Sequence, residues 1–483
     1  MHVVLKANEK NSEEKDYEIF NSSHLLPENW FLDSSLHSLE NLDEYCRREA
    51  KNGQLMRLIN LTNRTVNGCE RAIDYILENR KKINNDYLQL IEDLSFVKPE
   101  TKLNQHAYLL WSPDGTVLSK KIAKIERRKP LYLVFNGLGS QWPQMSNELM
   151  RIKVCARKLA QLSDYTIKNF HFDLIEFLAK QQTEDELNQD LVKCSIAIFA
   201  VQVALIELIR YLEIEVAGFV GYSIGEFASA YMDNCADEYQ LLDMMHAFGT
   251  ICKENLEEGV MLSVGLSREE VQAKLVEMRL ADDLSICCVN SNENTTIGGR
   301  EELIDKFIER YANDEIFLRK VETCRQVFHA KSFEKAYLIM LDRFGQMNQT
   351  AKRSSKWLST TTEAVENGSE ADGLSTYLAN NLNRTVHFSS AIQKLPADAC
   401  CLEMGPSCQL LPFVKQDRGL NCIPMLKRNA ANNISNLFIA FGELFNAGCP
   451  SKISKLFEPV QYPVSRQTLS LSHLLKLDHS EPR

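Results

Sequence analysis

The sequence predicts an α/β protein built on a parallel sheet, with a ferredoxin-like βαββαβ unit inserted into it and a small α/β domain in front. From residue 130 onward, buried apolar strands run into glycine-containing turns and then into helices, which is typical of a parallel sheet with helices on both faces. Between residues 259 and 322 the order changes to strand, helix, strand, strand, helix, strand. We therefore divide the chain into residues 1–129, a core of 130–258 and 326–430, an insert of 259–325, and a terminal linker of 431–483.

Residues 1–129 show strand and helix patterns but no cluster of catalytic side chains. The predicted elements are strands at "HVVLKAN" and "LMRLINLT", a helix over "VNGCERAIDYILENRKKI" and a hairpin over "HAYLLWSPDGTVLSKK". In the hairpin, two apolar runs flank Asp114–Gly115, a common two-residue turn.

The sequence predicts individual strands and helices in both the core and the insert. The core begins with a strand and glycine-rich turn at "PLYLVFNGLGSQW", a helix at "CSIAIFAVQVALIELIRYL" and a strand–turn–helix at "EVAGFVGYSIGEFASAY". The insert's elements are predicted at "VMLSVGL", "SREEVQAKLVEM", "LSICCVN", "TTIGG", "REELIDKFIERYA" and "IFLRKVE". Ser267 and Glu270 form a capping box at the start of its first helix. The tail, "LFEPVQYPVSRQTLSLSHLL", is interrupted by prolines and predicts an extended linker along a surface.

Composition excludes several classes of protein. The formal net charge of −10 argues against a general nucleic-acid-binding protein. The start carries no secretory pattern, and the longest apolar stretch, Ile196–Ile209, is short for a bilayer span and contains Gln202 and Glu207, so we expect a core helix. The 14 cysteines include no C-x-x-C pair, which favours reduced, buried thiols over disulfides or a metal site. We expect a cytoplasmic protein without a nucleic-acid or membrane partner.

The stretch Gly221-Tyr222-Ser223-Ile224-Gly225 lies between a buried strand and a helix. Glycines on both sides of a serine allow the sharp turn of a nucleophile elbow, which lifts the hydroxyl off the sheet edge at the start of a helix. The positive end of that helix, and the amide of Ile224, favour negative charge developing on an attacked carbonyl. Ser223 is therefore the candidate nucleophile, and the alternative is a tight turn with a small polar residue.

A serine nucleophile needs a base and a second oxyanion donor. The sequence has 10 histidines, and His329 is the one that lies just after the insert, where the chain re-enters the core. We therefore expect its loop to face the crevice between the two units. This position alone makes His329 the candidate base, whereas His246 is more typical of a core or surface histidine. In "FNGLGSQW", Gly137 and Gly139 allow exposed amides, and the absence of a following Gly-Lys-Ser/Thr argues against a phosphate-binding loop.

Five motifs together carry a family resemblance: "FNGLGSQW", "GYSIGE", "VNSNENTTIGG", "VFHA" and "LEMGP", in this order. They resemble the malonyl/acetyltransferase domain of animal-type fatty acid synthases and polyketide synthases over Pro130 to Leu426. The residues before them resemble the ketosynthase–acyltransferase linker, and the last residues are similar to the linker that follows the acyltransferase. The chain as a whole resembles a slice of a fatty acid synthase, with a parallel-sheet, hydrolase-like acyltransferase core.

The resemblance implies a role for each matching residue. Ser223 would be acylated by acyl-CoA, and His329 would act as its base. The amides of Gln141 and Ile224 would form the oxyanion hole, and Asn381 matches the residue that orients the histidine through a carbonyl or amide. The acceptor would be the phosphopantetheine thiol of an acyl carrier protein, with other fatty acid synthase domains as partners. No permanently bound cofactor is implied.

The substrate side departs from the family pattern. Asn290 matches an asparagine that lines the site, but Tyr222 stands where the family usually has histidine, and Ala330 stands where many members have serine. Counting from Ser223, Phe248 stands where malonyl-using members have a carboxylate-binding arginine. Because phenylalanine cannot pair a carboxylate, we expect weakened malonyl selectivity and a preference for acetyl or a longer neutral acyl chain. Arg325 is a candidate replacement cation, or simply a surface arginine.

Two further functions are compatible with the sequence. A catalytically weak scaffold that docks a carrier protein is favoured by Phe248, Tyr222 and the missing flanking catalytic domains. A hydrolase is permitted by the elbow, but the order of serine, ferredoxin-like insert and histidine matches the transferase arrangement. The sequence leaves the oligomeric state open; animal synthases dimerise largely through other domains, which is compatible with a monomer.

Overall fold

The computed structural model describes residues 56–95, 103–112, 114–347, 350–361, 373–430, 432–457 and 460–474. Three sheets organise these residues: one of three strands and two of five strands. The strand expected at "HVVLKAN" lies outside the described residues. The domain boundaries proposed above stay predictions.

The first sheet is antiparallel and confirms the predicted hairpin. Its strands and neighbouring helices are β1 Arg57–Asn63, α1 Val66–Asn79, α2 Asn85–Ser95, β2 Gln105–Trp111 and β3 Val117–Lys124. Strand order is β1-β2-β3. The two faces of β1 pack into different hydrophobic cores. Ile59 and Leu61 pack with α1 and α2, whereas Leu58 packs with the large core. This explains the near-continuous apolar run of β1, because side chains alternate between the two faces of a strand.

The second face of this sheet is covered by a helix that was not predicted. In the segment assigned to the terminal linker, α15 (Asn433–Asn446) packs across the first sheet. Gly442 permits the approach, since a Cβ there would lie 2.5 Å from the ring of Tyr108. Beyond it, the tail lies along α2 as expected: the Ser465 amide donates to Asp86 at 3.1 Å.

The core domain contains a five-stranded sheet in which every neighbouring pair is parallel. Strand order is β10-β5-β4-β12-β13. Its elements are β4 Leu131–Phe135, α3 Lys153–Phe170, α4 Leu174–Ala179, α5 Glu184–Leu187, α6 Leu191–Tyr211, β5 Gly218–Gly221, α7 Gly225–Met232, α8 Glu238–Asn255, α11 Glu334–Gln346, β10 Trp357–Leu358, α12 Leu374–Asn383, α13 Phe388–Gln393, β12 Cys400–Met404, α14 Leu411–Arg418 and β13 Asn421–Pro424. The α/β fold class is therefore as predicted.

Helix α6 is apolar on all sides. It is long and apolar enough to cross a membrane, but 83% of its most apolar window is buried inside the protein. It packs between α3 and α8, which is the expected position of a helix without a polar face. The prediction of a core helix is confirmed.

The insert folds as a ferredoxin-like unit. Its elements are β6 Val260–Val264, α9 Arg268–Glu277, β7 Ser285–Ser291, β8 Asn294–Gly299, α10 Glu301–Tyr311 and β9 Leu318–Val321. These four strands are antiparallel, and the predicted capping box of Ser267 and Glu270 is present. A fifth strand was not predicted: β11 (Val386–His387) follows α12 of the core domain and pairs in parallel with β7. A strand from the core domain therefore extends the sheet of the insert.

Candidate active site

The elbow has the predicted strand–turn–helix form. Strand β5 ends at Gly221, Ser223 adopts a left-handed backbone with φ of 56°, and α7 begins at Gly225. A Cβ at Gly221 would lie 2.5 Å from the Glu226 amide, and one at Gly225 would lie 2.3 Å from the Phe135 carbonyl. Both glycines are therefore required by close backbone approach. The strained serine between them is typical of a nucleophile held at a tight turn.

His329 lies within hydrogen-bond distance of Ser223. Its Nε2 lies 2.8 Å from Ser223 Oγ, and both residues are buried. Its Nδ1 lies 2.9 Å from each of two backbone carbonyls, those of Asn381 and Arg384. Because carbonyls only accept, Nδ1 carries the proton and donates it, which leaves Nε2 as an acceptor for the serine hydroxyl.

The histidine is held in its neutral form. Burial lowers the pKa of His329 to about 4, although the hydrogen bonds to Arg384 and Asn381 raise it. A neutral imidazole with a free Nε2 lone pair is the state that a general base needs. This arrangement can pass the Ser223 proton to His329 near neutral pH.

Asn381 orients the histidine through its backbone. Its carbonyl accepts from His329 Nδ1, while both polar atoms of its own side chain are buried and find no partner among the described residues. Arg384, which was not predicted, contributes the second carbonyl. The orienting groups are thus two carbonyls at the end of α12, and the identity of the side chains that carry them matters little for this contact.

The glycine-rich turn lies against the elbow. A Cβ at Gly137 would stand 2.8 Å from the Tyr222 carbonyl and 3.6 Å from the Ile224 amide. In the described part of the chain, neither the Gln141 nor the Ile224 amide has a hydrogen-bond acceptor. The Ile224 amide directly follows the serine, and a free amide in that position can stabilise an oxyanion. The Gln141 side chain is held by Asn188 and the Glu322 carbonyl, and its amide as an oxyanion donor stays a prediction.

Buried polar groups hold this turn. Asn136 Nδ2 donates to Glu403 at 3.2 Å and to the Ser407 carbonyl at 2.6 Å, and Gln202 donates to the Asn136 carbonyl at 2.7 Å. Glu403 also accepts from the backbone amide of Gln409 at 2.8 Å, at the start of α14. The turn is therefore anchored to both β12 and α6.

Tyr222 and Asn290 join the elbow to the insert. The Tyr222 hydroxyl donates to Asn290 Oδ1 at 2.8 Å, and burial raises the pKa of that hydroxyl well above its usual value. Asn290 Nδ2 in turn donates to Asn294 and Thr296 at 2.8 and 2.9 Å. The Asn290 side chain therefore makes its hydrogen bonds to Tyr222, Asn294 and Thr296, and its predicted place in the lining of the site stays a prediction.

The region around Phe248 is aromatic. Phe248 is fully buried, and its ring centroid lies 5.5 Å from that of Phe328, the neighbour of His329. Arg325 instead forms an ion pair with Glu258 at 2.8 Å, and both side chains are more than two-thirds exposed (69% and 68%). Arg325 is therefore a surface arginine in this structure, and the hypothesis that it replaces the missing cation is not supported.

The chain matches one family model, described as the acyl transferase domain, over residues 132–449. It belongs to this family.

Curated relatives are polyketide synthases. A highly reducing polyketide synthase from Pyrenophora dematioidea is 29% identical over 368 residues, and the polyketide synthase-like protein Preu9 from Preussia isomera is 30% identical over 338 residues. These matches cover 71% and 65% of this chain but only 14% and 16% of the relatives' length. This acyl transferase chain therefore corresponds to a small part of much longer proteins.

Solved acyl transferase domains share the fold. The domain from module 8 of the salinomycin polyketide synthase has a TM-score of 0.68 and 17% identity, covering 84% of this chain and 98% of that one. The domain of ZmaA has the same TM-score and identity, covering 87% and 99%. The predicted fold and family resemblance are confirmed.

Two buried carboxylates were missed by the sequence reasoning. Glu226 follows the elbow and Glu403 lies within β12, and both are fully buried with several hydrogen-bond donors around them. Both glutamates lie within the sequence motifs that carry the family resemblance. A single charged residue in the apolar run "CCLEM" indicates a buried, hydrogen-bonded group. Among the described residues, no three His, Cys, Asp or Glu side chains form a group that could hold a metal ion.

A methyl group at position 137 is expected to disturb the elbow of this acyl transferase. In Gly137→Ala the new Cβ would meet the Tyr222 carbonyl at 2.8 Å and Ser223 Cβ at 3.2 Å, so the backbone must shift. We expect acyl-enzyme formation to slow by about 10- to 100-fold, the cost of a small misplacement of reacting groups. Intact-protein mass after timed mixing with acyl-CoA measures the rate. Gly345→Ala is the control, because nothing lies within 4 Å of a Cβ there; equal rates in both variants would contradict the prediction.

Proposed function

We propose that this chain is an acyl-CoA:acyl-carrier-protein acyltransferase that works through an acyl-enzyme on Ser223. One observation carries the proposal: Ser223 Oγ lies 2.8 Å from a histidine nitrogen whose ring is oriented by two carbonyls. The family supports acyl transfer in general. The Ser–His dyad, the carrier protein and the selectivity described below are our proposals.

The first half-reaction acylates the serine. His329 Nε2 takes the Ser223 proton as Oγ attacks the thioester carbonyl, and the amides of Ile224 and Gln141 donate to the oxyanion. The tetrahedral intermediate then collapses, and the CoA thiolate leaves with the proton from His329. Asn381 and Arg384 carbonyls stabilise the imidazolium that forms in between, since both accept from Nδ1.

The second half-reaction transfers the acyl group. The phosphopantetheine thiol of a carrier protein gives its proton to His329 and attacks the Ser223 ester, and the serine leaves with that proton. CoA and phosphopantetheine enter as substrate and acceptor, so the chain needs no resident cofactor. The partners would be an acyl carrier protein and the other domains of a cytoplasmic multidomain synthase. The sequence motifs favour a fatty acid synthase, whereas the curated relatives are polyketide synthases.

The acyl pocket is proposed to prefer neutral chains. Phe248 is fully buried against Phe328, so a malonyl carboxylate there would lose its hydration without gaining an ion pair. A hydrogen bond to a charged group is worth about 1.5–3 kcal/mol, and its absence lowers malonyl transfer by roughly 10- to 150-fold relative to an arginine-bearing site.

Acyl-enzyme formation with acetyl-, octanoyl- and malonyl-CoA tests both proposals. We expect acetyl or octanoyl adducts to accumulate faster than malonyl, and to pass to a phosphopantetheinylated carrier protein. Phe248→Arg should raise malonyl acylation relative to acetyl, and Phe248→Leu controls for the lost aromatic packing. A dominant malonyl adduct on the wild type would contradict the selectivity.

Two other outcomes would change the function. Rapid loss of the adduct to water, with no transfer to carrier protein, would indicate a hydrolase. No adduct with any of the three would favour the non-catalytic scaffold.

A further inference from the structure

Glu226 is a buried carboxylate that the mechanism above does not use. It lies in the first turn of α7, three residues after Ser223, and is fully buried. It accepts from the Thr360 amide at 3.1 Å, from Thr360 Oγ1 at 2.7 Å, from the Tyr377 hydroxyl at 3.0 Å and from Trp357 Nε1. Three of these donors reach Oε1 and one reaches Oε2, so both oxygens of the carboxylate are hydrogen-bonded.

The groups that donate to Glu226 also contact the segments that position Ser223 and His329. On the serine side, Thr360 Oγ1 also lies 3.1 Å from the carbonyl of Gly221, the last residue of β5 before the elbow. On the histidine side, Tyr377 lies on α12, four residues before Asn381 and on the same face of the helix. Asn381 supplies one of the two carbonyls that hold His329 Nδ1.

The far end of the histidine support is tied to the same cluster. The His387 amide donates to the Thr360 carbonyl at 2.7 Å, just after Arg384 supplies the second carbonyl. The segment 377–387 is therefore held at Tyr377 by Glu226 and at His387 by Thr360, with both orienting carbonyls between the two attachments.

We propose that Glu226 is a positioning residue that sets the Ser223–His329 geometry by tying the elbow helix to the segment that orients the histidine. The proposal rests on the acyltransfer function proposed above. Glutamine would keep the shape of the side chain. Its NH₂ group, however, would face one of the N–H or O–H groups that now donate to the carboxylate. Two donors that face each other in a fully buried site loosen the hydrogen-bond cluster, so α7 and the segment 377–387 move relative to each other.

Glu226→Gln is compared with Tyr377→Phe, the double variant and a matched control. The control is Glu92→Gln, since Glu92 is another buried carboxylate that accepts from a backbone amide, that of Ser454 at 2.8 Å, far from the site in sequence and on α2. Acylation is measured as kcat and KM with acetyl- and octanoyl-CoA, at a temperature below the melting point of every variant. Phosphonylation of Ser223 by a fluorophosphonate is measured in parallel, because it reports the serine–histidine pair without any CoA.

We expect Glu226→Gln to lower kcat and the phosphonylation rate by about 10- to 100-fold, with KM changed less than about twofold. Tyr377→Phe should lose less, and the double variant should be no slower than Glu226→Gln, because both changes break one connection. Glu92→Gln should match the wild type. Wild-type rates in Glu226→Gln, additive losses in the double variant, or a loss confined to KM would overturn the proposal. A wild type that phosphonylates but forms no acyl adduct would instead overturn the acyltransfer function, and the phosphonylation rates would still decide the role of Glu226.

Discussion

Ser223→Ala is expected to abolish the covalent acyl adduct with every acyl-CoA. Oγ is the only atom of this side chain that can form the ester, and it sits at the apex of the elbow 2.8 Å from His329 Nε2. Removing the nucleophile of a serine enzyme costs on the order of 10⁶ in rate, so no adduct should be seen on the time scale of wild-type turnover. Intact-protein mass after brief mixing with acetyl- and octanoyl-CoA is the measurement.

Ser229→Ala is the matched control for this experiment. Ser229 is also buried and lies on the same helix, where its hydroxyl is 3.4 Å from the Gly225 carbonyl. We expect it to acylate like the wild type. If Ser223→Ala still gains the acyl mass, the nucleophile is another side chain, and peptide mapping would locate it.

His329→Asn is expected to slow acylation by about 10²–10⁴-fold, the usual contribution of a general base. Asparagine is the suitable replacement because His329 has a φ of 59°, and asparagine tolerates the left-handed region better than most residues. Single-turnover acylation, measured at saturating acyl-CoA, separates the chemical step from binding. His246→Asn is the control, because the His246 ring on α8 stacks on Phe170 of α3, with 4.2 Å between the ring centroids. A similar loss of acylation in this variant would contradict the assignment of His329.

The pH dependence gives a second readout for His329. Because burial lowers its pKa to about 4, the neutral base is present above that pH and is lost as the pH falls through it. Wild-type acylation should therefore stay level from neutral pH down to about 5 and then decrease, and His329→Asn should lack this step. An unfolded chain has a histidine pKa of about 6.5, so the folded state loses stability as the pH falls from about 6.5 through 4. Circular dichroism at each pH separates unfolding from titration.

Local features of the site were predictable because their signals are contiguous. The glycines around Ser223 are required because an added Cβ would lie 2.3–2.5 Å from neighbouring backbone atoms. The strand before them and the helix after them have their own periodicities. The insert was recognised in the same way, from six elements in order and a capping box. The resemblance of five motifs then supplied the roles that spacing alone left open, including the choice of His329.

The remaining features depend on packing between distant parts of the chain. Helix α15 was missed because residues after 430 were assigned to a linker, although Ile434, Leu437, Phe438 and Phe441 recur at helical spacing. Strand β11 has two residues and no periodicity to detect. The carbonyls of Asn381 and Arg384 cannot be read from side-chain types, since every residue carries the same backbone acceptor. The direction of Arg325 is likewise set by its contact with Glu258 and not by its position four residues before His329.

The sequence by itself determined the fold class, the family and the candidate nucleophile, because these depend on local patterns of glycine, apolar residues and motif order. The tertiary structure decided the pairing of Ser223 with His329 across 106 residues, the neutral state of that histidine and the buried cluster at Glu226. These three depend on which surfaces meet and on how much water they exclude. Burial and backbone proximity are properties of the packed chain, and no single stretch of sequence encodes them.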